Sequence, residues 1–292
     1  MEYRIVKKTN VGMSGKTLEK AIKVVDRADE LKSEGKSDEA FELISTLNKS
    51  VDKASRSVPS PPKAEPKKKA PPKFNRTNDN IKWAKWTWNP VTGCEHGCEY
   101  CYAEEISMRF NGHFKPEFHE ARLVAPDNTK PDSSIPGGNA VFVCSMADLF
   151  GSWVPNDWIW PVIKKVEEHP EWTFLFLTKN PRRYESVQFP DNAWIGATVD
   201  TQARVKPTLD AFEKSSATVK FVSCEPLLEP VVFDNMDAID WVIIGSQSGT
   251  NNVKAFQPEF EWVEALHNQA RSYDIPVYWK DNLKCKPEEY PQ

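Results

Sequence analysis

Six short, nearly continuous apolar runs recur after residue 139: AVFVCS (140–145), TFLFLT (173–178), AWIGAT (193–198), VKFVSC (219–224), DWVIIG (240–245) and IPVYWK (275–280). A strand that alternates apolar and polar residues has one face in water; runs of this kind are buried on both faces. The stretches at about 156–169, 180–187, 201–214 and 259–273 instead space their apolar residues for one face of a helix. Strands alternating with helices specify a parallel sheet covered by helices. A further strand over 81–88 makes seven between residues 81 and 292. This predicts an α/β fold, a partial (β/α) parallel barrel rather than a full eightfold one, with a doubly wound sheet as the alternative.

Ahead of the sheet the chain changes character. Residues 57–73, SVPSPPKAEPKKKAPPK, hold six Pro and five Lys, a composition that cannot form a core and reads as an extended, semi-rigid linker. Before it, apolar residues at Leu18, Ile22, Val25, Ala28 and Leu31, a break at Gly35, and a second set at Ala40, Leu43, Ile44 and Leu47 predict a small helical hairpin. The expected division is therefore a helical segment at 1–56, a linker at 57–73 and the β/α domain at 74–292. Charge divides the same way. Residues 1–80 carry 18 Lys and Arg against 12 Asp and Glu, an excess of +6, and the remaining 212 carry 20 against 30, an excess of −10. The basic N-terminal arm is the part expected to touch a nucleic acid or a nucleic-acid-bound partner.

No eighteen apolar residues run together and the N-terminus MEYRIVKKTN has no apolar core, so neither a membrane span nor a secretory signal is expected, and the location implied is cytoplasmic. Six cysteines in 292 residues make no disulfide framework, but Cys94, Cys98 and Cys101 crowd into one stretch, WNPVTGCEHGCEYCYAEE. In a reducing compartment that points to metal or cluster ligation.

In an α/β sheet the ligand site lies beyond the carboxyl ends of the strands. There the sequence places Asn89 and the loop to Cys101, Ser145 and Asp148, Thr178 and Lys179, Thr198 and Asp200, Ser223 and Glu225, the run Gly245 to Gly249, and Lys280 with Asp281. Helix caps and glycine turns account for a share of these. Lys179, Arg182 and Arg183 put three positive charges at the expected mouth, suited to a phosphate or carboxylate. Trp83, Trp86 and Trp88 alternate on the first strand and are expected to pack against covering helices. The spacing C-x3-C-x2-C lets three thiolates from one loop converge on an inorganic centre with a fourth position open, the arrangement of a reactive site. Gly93 and Gly97 supply the positive backbone dihedrals such a loop needs. Zinc held by Cys94, His96, Cys98 and Cys101 is the competing reading, disfavoured because four ligands in eight residues leave little chain to reach tetrahedral positions.

With an aromatic, Tyr100, before its last cysteine, this motif after the first strand resembles the signature of radical S-adenosylmethionine enzymes. TGCEHGCEYCYAE, VFVCSMADLFGSWVP, FLFLTKNPRRY, WIGATVD, FVSCEPLLEPV and DWVIIGSQSG are together similar to an uncharacterised bacteriophage family named for gene products thirty-seven and sixty-eight. These resemblances imply a 4Fe-4S cluster on Cys94, Cys98 and Cys101, with S-adenosyl-L-methionine completing the site and a reductant protein such as flavodoxin supplying electrons. They also imply cofactor contacts from Tyr100, Ser145, Asp148, Thr198, Glu225 and Gly245. The superfamily's Gly-Gly-Glu-like stretch is replaced here by Cys144–Asp148, so Ser145 and Asp148 are the substitutes expected to hold the methionine amino group. Two functions follow. One is a radical enzyme acting on an unidentified substrate, a nucleic-acid base among the candidates. The other is a non-enzymatic accessory protein with a structural cysteine site and a phage-encoded partner.

Overall fold

A computed structural model describes residues 15–58, 70–77 and 81–284. Residues 59–69 of the proposed linker, and Cys285, lie outside the described residues. Two compact units divide at Lys69 and Ala70.

The first unit holds α1 (Gly15–Ser33), α2 (Ser37–Lys49) and α3 (Val51–Ser57), one helix more than the expected hairpin. Gly35, at φ +80°, ends the first turn of chain. Val24, Ala28, Leu31, Ala40, Leu43, Ala54 and Val58 form its small core. The third helix is too short to show an apolar period, but Ala54 and Val58 close the core that the first two helices leave open.

In the second unit the strands are β1 (Asn75–Arg76), β2 (Trp86–Trp88), β3 (Val91–Thr92), β4 (Glu117–Phe118), β5 (Ala140–Val143), β6 (Thr173–Thr178), β7 (Ala193–Thr198), β8 (Val219–Cys224), β9 (Trp241–Ile244) and β10 (Val277–Trp279). Its α-helices are α4 (Tyr102–Asn111), α5 (Asn156–Glu167), α6 (Val205–Lys214) and α7 (Phe260–Ser272). One eight-stranded sheet runs β1-β2-β5-β6-β7-β8-β9-β10, and β3 pairs with β4 in a separate ribbon. All pairings in the large sheet are parallel except β1 with β2.

The double-sided apolar runs are used as their composition requires. On β6, Phe174 and Phe176 join the main core beneath the helices while Leu175 and Leu177 face the opposite side. That second face is concave. Trp83, just ahead of β2, has its ring 6.2 Å from Phe221 on β8 and 6.4 Å from Trp241 on β9. In a flat sheet β2 and β8, four places apart, would be separated by about 19 Å, so the sheet curls until its early and late strands share a core. An ion pair between Lys82 and Asp281 joins the chain before β2 to the chain after β10. Within the described residues β1 and β10 do not pair, so the sheet is curled and open.

The expected helix at 180–187 is a 3-10 turn at Pro181–Ser186, because Pro181 starts it and too few residues follow to propagate an α-helix. No helix was expected between β8 and β9, and residues 225–240 there have neither helix nor strand. Leu227, Val231, Phe233, Met236 and Ile239 fill the position a covering helix would take. Among the described residues no helix is long and apolar enough to cross a membrane.

Candidate functional site

Between β3 and α4 lies the cysteine loop. Gly93 has φ +85°, and a Cβ there would stand 2.0 Å from the Lys115 carbonyl oxygen, so no other residue fits. Gly97 also has positive φ, +63°. The Gly93 N–H donates to Met146 O at 2.9 Å and the Cys94 N–H to Phe114 O at 3.2 Å, which fastens the start of the loop to two neighbouring segments. Cys101 caps α4, its Sγ accepting the Glu104 N–H at 3.4 Å. The three cysteines are half-buried and line one cavity of about 400 Å³. Burial pushes the Cys94 thiol up to about 12 and raises Cys98 and Cys101 as well, while the Lys179 ammonium pulls the latter two partly back.

Two carboxylates at strand ends hold the loop. Asp148, after β5, is buried and accepts from the Phe150 N–H (3.0 Å), the Thr178 hydroxyl (2.8 Å), the Lys179 N–H (2.9 Å) and His96 Nε2 (2.7 Å). His96 lies between the first two cysteines, and its ring packs edge-on against Trp153 at 4.7 Å. Asp200, after β7, accepts from the Tyr100 hydroxyl, from Lys179 Nζ at 2.7 Å and from Arg204 Nε at 2.6 Å. Lys179 Nζ also donates to the Tyr100 oxygen at 2.6 Å. Burial works to raise the Asp200 carboxyl, but Lys179, Tyr100 and Arg204 outweigh it and hold it below the ordinary carboxylate value. One residue inside each half of the cysteine loop is thus tied to a strand end.

The sequence-derived site residues divide on inspection. Cys94, Cys98, Cys101, Tyr100, Ser145, Asp148, Thr198 and Glu225 all line the cavity, whereas Gly245 lies behind the wall made by Glu225 and Lys280. Asp148, expected to hold a cofactor amino group, has both its oxygens hydrogen-bonded by protein donors. The Ser145 hydroxyl is likewise engaged, with Thr87 Oγ1 at 2.7 Å and Asn89 Oδ1 at 3.3 Å. Of the three positive charges expected at the mouth, only Lys179 is there. Arg183 turns away to the carbonyls of Gly151 (3.0 Å) and Val154 (2.7 Å), and Arg182 is exposed. The Trp88 and Trp86 rings sit in or against the main core, but Trp83 lines the cavity. Arg204 was missed; its i,i+4 spacing from Asp200 was the available signal.

The donor set suits a cluster better than a single ion. Among the described residues no group of three or more His, Cys, Asp and Glu side chains is gathered closely enough to hold one metal ion. His96 is committed to Asp148. In a cubane each thiolate binds a different iron, so three thiols from one loop need not meet at a point. Backbone N–H groups already reach the sulfurs of Cys94 and Cys101, which offsets part of the rise that burial imposes on these thiols.

A family model described as a protein of unknown function (DUF5131) matches residues 78–289. No curated protein matches this chain. Among solved structures the chain is similar to spore photoproduct lyase complexed with dinucleoside spore photoproduct, with 11% identity and a TM-score of 0.47 over 71% of this chain and 79% of that one. It is similar also to a cysteine-to-alanine mutant of that lyase, with 12% identity and a TM-score of 0.46 over the same shares. Likenesses of this size bear on neither substrate nor reaction.

Proposed function

The chain belongs to the DUF5131 family of proteins of unknown function, and on that premise we propose that it is an enzyme of the radical S-adenosylmethionine type, built on a partial β/α barrel. The observation that carries this reading is the loop itself: three half-buried cysteines in C-x3-C-x2-C spacing, held open on a cavity of about 400 Å³ at the carboxyl ends of a parallel sheet. Cys94, Cys98 and Cys101 would hold a 4Fe-4S cluster. When bound, that cluster supplies an electron that cleaves a carbon–sulfur bond of S-adenosylmethionine, releasing methionine and a 5'-deoxyadenosyl radical. Lys179 and Arg204 bring positive charge toward the loop to offset thiolate charge. The buried hydroxyls of Thr198 and Ser223 and the backbone of Ser248 and Gly249 are polar cavity groups that would position the cofactor. Trp83, Phe142 and Leu177 keep that part of the cavity apolar.

Protein purified without oxygen is expected to carry about four irons per chain and, with a strong chemical reductant, to form 5'-deoxyadenosine from S-adenosylmethionine. Alanine at Cys94, Cys98 or Cys101 removes the iron, and Cys224→Ala, in the core, retains it. Zinc without iron, or a full cluster that yields no 5'-deoxyadenosine, would sink the proposal.

A further inference from the structure

One charged pair on the cavity wall takes no part in holding the cysteine loop. Glu225 follows β8 and Lys280 follows β10, and their side chains meet in an ion pair across the end of β9, the strand between them. Glycine at the end of β9 makes this possible. A Cβ on Gly245 would lie 2.9 Å from Glu225 Cγ and 3.0 Å from Lys280 Cδ, so any side chain there would force the pair apart. Lys280 is only 8% exposed, and burial raises the Glu225 carboxyl against the opposing pull of Lys280. Such a pair is a poor source of stability, because desolvating two charges offsets their attraction. The three strands are in any case already joined by backbone pairing.

The pair leaves hydrogen-bonding capacity open. An ammonium has three donors and a carboxylate two oxygens. Among the described residues, the bond from Lys280 Nζ to Glu225 Oε1 is the one side-chain hydrogen bond either group makes. Two N–H donors and the second carboxylate oxygen are thus left without a side-chain hydrogen-bond partner among the described residues, on a cavity also lined by Trp83, Phe142 and Tyr102. The Trp83 and Phe142 rings pack 4.7 Å apart and give the cavity an aromatic side.

We infer that this wall binds a flat, uncharged group carrying a hydrogen-bond donor and acceptor side by side, the edge of an amide or lactam. An anion drawn to Lys280 would meet the charge of Glu225, and a cation drawn to Glu225 would meet that of Lys280. A neutral donor–acceptor edge bonds to both and leaves the ion pair intact. The aromatic side chains cover the faces of such a group. This deepens the proposed function: it rests on the cavity being the substrate chamber, and not on which metal the cysteines hold. It moves Glu225 and Gly245 from the cofactor to the substrate.

Benzamide, benzoate and benzamidinium share a ring and a shape and differ in charge. Titrating each into the full-length, anaerobically purified protein, followed by ligand-observed NMR, is expected to show benzamide binding at least about tenfold more tightly than either charged congener. In Glu225→Gln the preference moves to benzoate, and in Lys280→Met to benzamidinium; a merely structural pair would change the melting temperature without changing charge preference. Benzoate or benzamidinium binding the wild type as well as benzamide does, or no binding of benzamide, overturns the inference, and these wild-type measurements decide it even if a variant does not fold. Iron assayed in the same samples separates the two claims. Iron-free protein that prefers benzamide refutes the cluster alone, and iron-loaded protein without the preference refutes the amide-binding wall alone.

Discussion

Asp148 illustrates how surroundings decide what a carboxylate can do. Read along the sequence it is an acid at a strand end beside the cysteine loop, available to a ligand. In the fold it accepts from two backbone amides, a threonine and His96. Its removal should therefore act through the protein before it acts through any cofactor. Asp148→Ala strands the buried N–H groups of Phe150 and Lys179 and is expected to lower stability by at least about 2 kcal/mol, measured by urea unfolding, with iron retention falling in parallel. Unchanged stability combined with weakened S-adenosylmethionine binding would restore the carboxylate to the cofactor. Position in sequence made Asp148 and Asp200 visible as candidates, but the partners that tie them to the cysteine loop, His96 and Tyr100, lie 52 and 100 residues away and carry no local mark.

At the scale of elements, the loop from Gly93 to Cys101 and the helix it starts behave as one piece. Helix α4 went unread because its apolar residues are on the wrong side for a core helix: Tyr102, Ile106 and Phe110 are exposed, and only Ala103 and Ser107 are buried. The loop's own chemistry sets a pH dependence. Burial raises the folded Cys94 thiol to about 12, above its ordinary value of about 8.5, so the iron-free folded chain binds that proton more tightly than the unfolded chain does. Its contribution to stability is whole below about pH 8.5 and declines as pH rises toward about 12. Urea midpoints of iron-free protein should fall between about pH 8 and about pH 11, and the fall should be smaller in Cys94→Ala. An identical fall in the variant would place the titrating group elsewhere. Because cluster binding must release thiol protons, iron incorporation should quicken over the same range.

For the whole molecule the division into two units matters most. The described helical unit, residues 15–58, holds nine Lys and Arg and nine Asp and Glu, so it has no net charge. The basic excess of the first eighty residues therefore belongs to 1–14 and 59–80. Phe74, the first residue of the β/α domain in the sequence reading, is buried against Trp88, Trp172 and Phe174, and its N–H donates to Thr129 Oγ1 at 2.9 Å. A chain that starts at Ala70 is expected to keep its iron and to lose any salt-sensitive nucleic-acid binding of the full chain. Loss of iron on that truncation would show that the two units do not fold independently.

Sequence alone determined the main parallel strands and the cysteine loop of this protein. Residue type and spacing are local properties, and a doubly buried strand or a three-cysteine loop is written in consecutive residues such as TFLFLT and GCEHGCEYC. The tertiary structure decided which polar groups answer one another. Asp200 meets Tyr100, Asp148 meets His96, and Glu225 meets Lys280 across a glycine. Each pairing depends on how far the sheet curls and on which strands become neighbours, and no single segment of chain carries that information.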